Sequence, residues 1–213
     1  MTGGVSVKPR LTWRAALHVQ GRQAWLLALV CAALALPALW PSLTPLLRFE
    51  RTAIATAEWW RWVTCHVVHL DMGHALLNIA GVVLLWTLFG GLLRGRDWLW
   101  TLVLSVTSVD LGLWYLQPQL QWYVGASGLL HGVMASGCVA LRRSGDRAGW
   151  PASGLFAAKL AYEHWQGPLP FETQSAVVSA AHLYGAAGGL LASLLAAAQA
   201  AILRRRNLEV SHR

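Results

Sequence analysis

Long neutral stretches alternate with short charged clusters along this chain. No Lys, Arg, Asp or Glu occurs from Gln23 to Leu47 or from Thr173 to Leu203, and Asp110 is the only charged residue from Trp98 to Leu141. A helix that spans a bilayer needs roughly 20 apolar residues. The pattern divides into six such segments, at 23–41, 65–89, 98–116, 126–141, 150–166 and 176–203, of which the fourth and fifth are short. These runs lack the two-residue alternation of a membrane barrel, so helices are left to satisfy the backbone in lipid. The expected fold is all-α: a polytopic bundle of six transmembrane helices, with a membrane domain at 21–204 and polar tails at 1–20 and 205–213.

Composition agrees. Hydrophobic residues make up 56% of the chain and charged residues 12%, against about 25% charged in a soluble domain. The formal charge of +8 invites a nucleic-acid reading, but its distribution argues for a bilayer and no nucleic-acid partner. Lys and Arg concentrate in the N-terminus, at 94–97, at 142–147 and in the C-terminal tail, all on one side of a six-helix arrangement. Arg48, Arg51 and Arg61 fall on the other side, and Lys159 lies within a span. The positive-inside rule then places both termini in the cytoplasm. Most of the 13 tryptophans lie near segment ends, where an indole ring meets the headgroups. The first segment has no clear small-residue cleavage site and is expected to be a retained helix. Cys31, Cys65 and Cys138 fall in separate segments, which predicts no disulfide framework.

Strongly polar groups inside a membrane are costly and therefore informative. The second segment carries His66, His69, His74 and Asn78. His74 and Asn78 are four apart and share a helical face, with His69 at the helix mouth. No H-E-x-x-H or carboxylate grouping accompanies them, which argues against a metal site. At the start of the fourth segment stand Gly125, Ala126, Ser127, Gly128 and, one turn on, His131. A serine there is either a helix cap or a nucleophile beside the free N–H groups of a helix N-terminus. In the sixth segment, His182 shares a stripe with the small residues Gly185 and Gly189, a surface for close helix packing. It comes about two turns into that segment, roughly 9 Å at 1.5 Å per residue. His74, Asn78, Ser127 and His182 thus enter from one face at similar depth, which supplies a nucleophile, a base and hydrogen-bond donors for an oxyanion.

At these residues the chain resembles the rhomboid intramembrane serine proteases. That family carries H-x-x-x-x-H-x-x-x-N in its second helix, here His69, His74 and Asn78. Its G-x-S-G is Gly125 to Gly128, and its A-H-x-x-G-x-x-x-G is Ala181, His182, Gly185 and Gly189. The six-helix length, the G-x-S-G-x-L-H-G run from Gly125 to Gly132 and Trp60-Arg61-Trp62-Val63-Thr64 are most similar to the rhombosortase subgroup. The resemblance implies a rhomboid-like bundle with N-in/C-in topology in a bacterial inner (cytoplasmic) membrane. It implies a Ser127–His182 dyad without an acid, and no cofactor or metal. Oxyanion support would come from His74, Asn78 and the Ser127 N–H, with Gly125, Ala126, Gly128, His69 and His131 around it. Substrates would be exported membrane proteins with a C-terminal Gly-Gly type tail. Whether the acyl-enzyme passes to water or, as in a sortase, to an amine stays open, as does an inactive helix-binding relative.

Two features stand apart from that pattern. Rhomboids usually have tyrosine four residues after the serine, where this chain has His131. It either competes for the role of base or packs against His182, and its place one turn deeper favours packing. Lys159 and Glu163, four apart in the fifth segment, are expected to pair. They serve either as an internal ion pair or as a gate that shapes substrate selection. The sequence offers no role for Asp110.

Overall fold

Many large apolar side chains point outward in this protein, and many polar ones point inward. In the computed structural model, which describes residues 24–167 and 178–211, Leu76, Leu84, Leu88, Leu111, Leu155 and Leu191 are exposed. Arg61, His66, Asn78, Ser105, Asp110, Ser136 and Glu163 are buried. Hydrocarbon surroundings account for this inversion. Leucine loses nothing by facing lipid, whereas polar groups must find partners inside.

The first helix, α1 (Ala24–Ala38), holds Pro37 in its last turn. A 3-10 turn at Pro41–Leu43 and α2 (Thr44–Leu47) follow, bent by 88° from α1. Proline cannot donate to the helical ladder, which is the local cause of the break. A thin polar layer then crosses one end of the bundle: β1 (Phe49–Glu50), α3 (Arg51–Ala55) and α4 (Arg61–Thr64). Next come α5 (Met72–Phe89), α6 (Gly95–Leu116), β2 (Trp122–Tyr123), α7 (Ser127–Arg143), α8 (Gly149–Gln166) and α9 (Ser179–Ser211). Strands β1 and β2 pair antiparallel, Phe49 opposite Tyr123.

The segments expected from the sequence reappear as α1 and α5 to α9, with shifted ends. Helix α5 starts at Met72 rather than near 65, because the Asp71 carboxylate accepts from the His74 N–H (2.8 Å) and caps the first turn. Residues 65–71 remain a loop, so His66 and His69 precede the helix. Helix α9 continues through part of the expected 205–213 tail to Ser211, since no Gly or Pro follows Gly189 to stop it. The expected tail at 1–20 lies outside the described residues, as does most of the loop at 167–175, whose Gly167, Pro168 and Pro170 make it the sequence's candidate for a cap over the site.

Helices α5, α6 and α9 are long and apolar enough to cross a membrane, and the bent α1–α2 pair would make a fourth span. Helices α7 and α8 do not meet that measure. For α7 the reason is its position: α5, α6, α8 and α9 all pack on it. A helix so enclosed meets protein, not lipid, and is free to be small and polar. Buried Gly128, Gly132, Ser136 and Gly137 form its contact faces.

The arginines of the thin layer are spent on backbone carbonyls. Arg51 donates to the carbonyls of Leu113, Trp114, Gln117 and Leu120 at 2.8–3.1 Å, closing the C-terminal end of α6. Arg61 bonds Glu58 at 2.6 Å and the carbonyls of Pro45 and Arg48, both at 2.9 Å. Asp110, which the sequence left without a role, meets His66 Nε2 at 3.1 Å and ties the 65–71 loop to α6.

Candidate active site

The turn into α7 sets the serine. Gly125 has φ of +117°, a conformation that a side chain disfavours, and its N–H bonds the Cys65 carbonyl at 2.8 Å. Tyr123 donates its hydroxyl to the Gly125 carbonyl at 2.9 Å. Burial pushes that hydroxyl well above its ordinary pKa, so it remains a donor. Ser127 then opens the helix. The Leu130 N–H bonds the Ala126 carbonyl at 3.0 Å, so the N–H groups of Ser127, Gly128 and Leu129 precede the helical ladder and point outward from the helix start.

Glycines bring α9 to this turn. A methyl group on Gly185 would overlap the Gly128 carbonyl, and one on Gly189 would overlap the Gly132 carbonyl. Ser136 Oγ donates to the Gly189 carbonyl at 2.7 Å and receives Thr101 Oγ1 at 3.0 Å, which links α6, α7 and α9. Backbones this close place His182 directly across from Ser127. Its Nε2 lies 2.9 Å from Ser127 Oγ, and the imidazole is 1% exposed.

Behind His182 stands a carboxylate. Its Nδ1 lies 3.1 Å from both Oε1 and Oε2 of Glu163, a residue only 3% exposed. Lys159 Nζ is 2.7 Å from Glu163 Oε1, 2.5 Å from His131 Nε2 and 3.4 Å from His182 Nδ1. The His131 and His182 rings stack, with centroids 3.9 Å apart and 10° between planes. Donor chemistry assigns the protons. The carboxylate only accepts, so His182 Nδ1 carries hydrogen and Nε2 presents a lone pair to the serine. The Ser127 carbonyl accepts from His131 Nδ1 (2.7 Å), and the ammonium donates to His131 Nε2.

On the opposite side of the serine turn, the His74 ring packs over Gly125. A Cβ there would stand 2.9 Å from His74 Cε1 and 3.0 Å from its Nε2. Asn78 Nδ2 donates to the His74 carbonyl at 2.9 Å, one turn back along α5. His69 lies edge-on to His74, ring centroids 5.0 Å apart. It belongs to the loop ahead of α5, where burial and then the neighbouring His74 lower its pKa to about 4, so it packs as a neutral ring.

Among the described residues two groups have donor atoms close enough for a metal: Cys65, His66 and Asp110, and His131, Glu163 and His182. In the second, the Lys159 ammonium sits among the donors and would repel a cation. In the first, His66 and Asp110 already bond each other and Cys65 Sγ lies 3.6 Å from the Trp62 carbonyl.

The model of the Rhomboid domain matches residues 56–199, about two thirds of the chain and every residue of this cluster. The chain belongs to the rhomboid family. It is therefore a membrane-embedded, multi-pass protein. It is also 26% identical over 142 residues to a protein of Bacillus subtilis (strain 168) named "Putative rhomboid protease YdcA", an alignment covering 67% of this chain and 69% of that one.

In this rhomboid the structure brings Ser127, His182, His131, Lys159 and Glu163 into one bonded network. His131 contacts the serine through its backbone carbonyl, not its hydroxyl, and stacks on His182 as its depth suggested. The Lys159–Glu163 pair forms as expected, but it turns inward onto the imidazole. Sequence reasoning missed that contact because it followed α8 alone. A signal existed: Glu163 lies three residues before the end of α8 and His182 three after the start of α9, so helix arithmetic puts them at one depth.

Proposed function

We propose that this rhomboid is an intramembrane serine endopeptidase, with Ser127 as nucleophile and His182 as general base. The observation that carries the reading is the 2.9 Å approach of His182 Nε2 to Ser127 Oγ at a helix start, inside an apolar shell. In acylation, Ser127 Oγ passes its proton to His182 Nε2 and attacks the scissile carbonyl. The tetrahedral oxyanion forms beside the Ser127 N–H, His74 and the second N–H of the Asn78 amide. Collapse breaks the peptide bond, and His182 returns the proton to the leaving amine. Water then attacks the acyl-enzyme with His182 again as base, releasing the acid and restoring the serine.

The finer reading follows the resemblance. Six spans, from α1–α2 to α9, would place both termini in the cytoplasm and the serine near the periplasmic face of a bacterial inner membrane. The Gly125–Gly132 run supports assignment to the rhombosortases. Substrates would then be exported single-pass proteins with a glycine-containing motif, one transmembrane helix and a basic end. Glycine suits such a site, because a helix hides its carbonyls and glycine unwinds it most readily.

The test is cleavage of a membrane reporter carrying a Gly-Gly type tail. Wild type should cut it, and Ser127→Ala and His182→Ala, at equal expression, should not. Cleavage that survives His182→Ala would refute the assigned base.

A further inference from the structure

We propose that Glu163 is the positioning acid of a Ser127–His182–Glu163 triad and that Lys159 fixes its orientation, an inference that rests on the protease reading above. A dyad leaves the far nitrogen of its histidine to whatever is near. Here that nitrogen faces both oxygens of a carboxylate buried with it. An acceptor at this place does two things. It holds the proton on Nδ1, so that Nε2 is always the basic nitrogen, and it stabilises the imidazolium formed when the serine gives up its proton. An isolated carboxylate in this interior would be too costly. Lys159, four residues earlier on the same helix, supplies the compensating charge through Oε1, and Oε1 and Oε2 both stay turned to Nδ1.

Geometry distinguishes this role from that of a structural pair. A pair that only joins α8 to the bundle would meet a neighbouring backbone or another side chain. This one meets the proposed base on its hydrogen-bearing edge. The ammonium also imposes a consequence on the amide variant. In Glu163→Gln, Lys159 can only donate, so it holds the amide oxygen. The amide NH₂ then takes the Oε2 place facing His182 Nδ1, where it competes with the amide oxygen and favours the tautomer with its proton on Nε2, which blocks the serine. Removing the ammonium frees the amide to turn.

The experiment uses the full chain in proteoliposomes. It measures the rate at which a fluorophosphonate labels Ser127, and kcat and KM for the Gly-Gly tail reporter, across pH. Glu163→Gln should slow labelling and lower kcat by about 100-fold or more, within the range that loss of a triad acid produces, with KM within about threefold. Glu163→Asp should be intermediate. Lys159→Met combined with Glu163→Gln should label about tenfold faster than Glu163→Gln alone, an outcome that a structural pair does not predict.

The acid limb of the remaining activity should move to lower pH, because the imidazolium has lost its counter-charge. Among the described residues, the titratable groups facing His182 are His131 from α7 and Lys159 and Glu163 from α8. His74 of α5 lies beside Gly125, and Asp110 of α6 is turned to His66.

Glu163→Gln labelled within threefold of wild type would overturn the triad and leave the protease standing. A raised KM with unchanged labelling would do the same and return Glu163 to substrate selection. A wild type inert to both probes would remove the protease reading and the triad together. If Glu163→Gln does not fold, judged by its elution and helical content, Glu163→Asp decides alone. A fall of about tenfold in labelling supports the triad, and wild-type labelling overturns it.

Discussion

At the scale of the residue, the candidate site is a problem of where protons sit. Three donors and acceptors fix the His182 tautomer, and a fourth group holds the ring. His131 stacks on His182 at 3.9 Å and is itself held at both nitrogens, by the Ser127 carbonyl and by Lys159. Stacked ring pairs contribute about 0.5–1.5 kcal/mol, and tenfold in rate is about 1.36 kcal/mol. His131→Ala should therefore lower kcat for reporter cleavage by about three- to tenfold with KM unchanged, and His131→Phe should lose less. Loss as complete as that of Ser127→Ala would instead make His131 the base. Ser127, His182, His74 and Asn78 were legible in the sequence because each lies in a short local motif and because polar residues in apolar segments stand out. Glu163 was visible as the partner of Lys159 but not of His182. Its meaning depends on which neighbour its face meets, and helical spacing within one segment does not contain that fact. The same holds for Asp110, whose partner His66 is 44 residues away.

At the scale of the element, glycine spacing does the positioning. The reach from Ser127 to His182 is set by the contact of Gly128 and Gly132 on α7 with Gly185 and Gly189 on α9. In Gly185→Ala, the new methyl group would collide with the Gly128 carbonyl, and backbone cannot swing aside as a side chain can. The helices must part, and a misplacement near 1 Å costs on the order of 100-fold in rate. Gly185→Ala should thus lose about that much proteolysis while keeping its helical content by circular dichroism. Gly154→Ala on α8 is the control, since nothing lies within 4 Å of the added carbon, and its activity should be unchanged. Full activity in Gly185→Ala would mean that the helix contact does not set the catalytic distance. The small-residue stripe of α9 was readable from sequence, and so was the need for a close partner. The helix ends were less readable. The start of α5 is decided by Asp71, a cap lying inside an otherwise apolar run.

At the scale of the whole molecule, the inverted distribution of polarity constrains orientation. The arginines near the active-site end are occupied: Arg51 and Arg61 each bond carbonyls, and Arg48 pairs with Glu50 at 2.5 Å. These bonds hold them within the fold. In the proposed arrangement, the more numerous Lys and Arg at 94–97, at 142–147 and in the C-terminal tail would set which side stays in the cytoplasm. The proposed six-span arrangement then has a plain consequence for reporter fusions. Alkaline phosphatase, which folds only outside the cytoplasm, should be active when fused after Gln119, in the loop between α6 and α7. It should be inactive when fused after Gly145, in the loop between α7 and α8. Green fluorescent protein should behave in the opposite way at both points. A fusion after Gln119 that lacks phosphatase activity while fluorescing would invert the molecule and put Ser127 at the cytoplasmic face. Exported proteins would then present their tails to the wrong side, and the proposed substrate class would fall even if the Ser127–His182 chemistry survived.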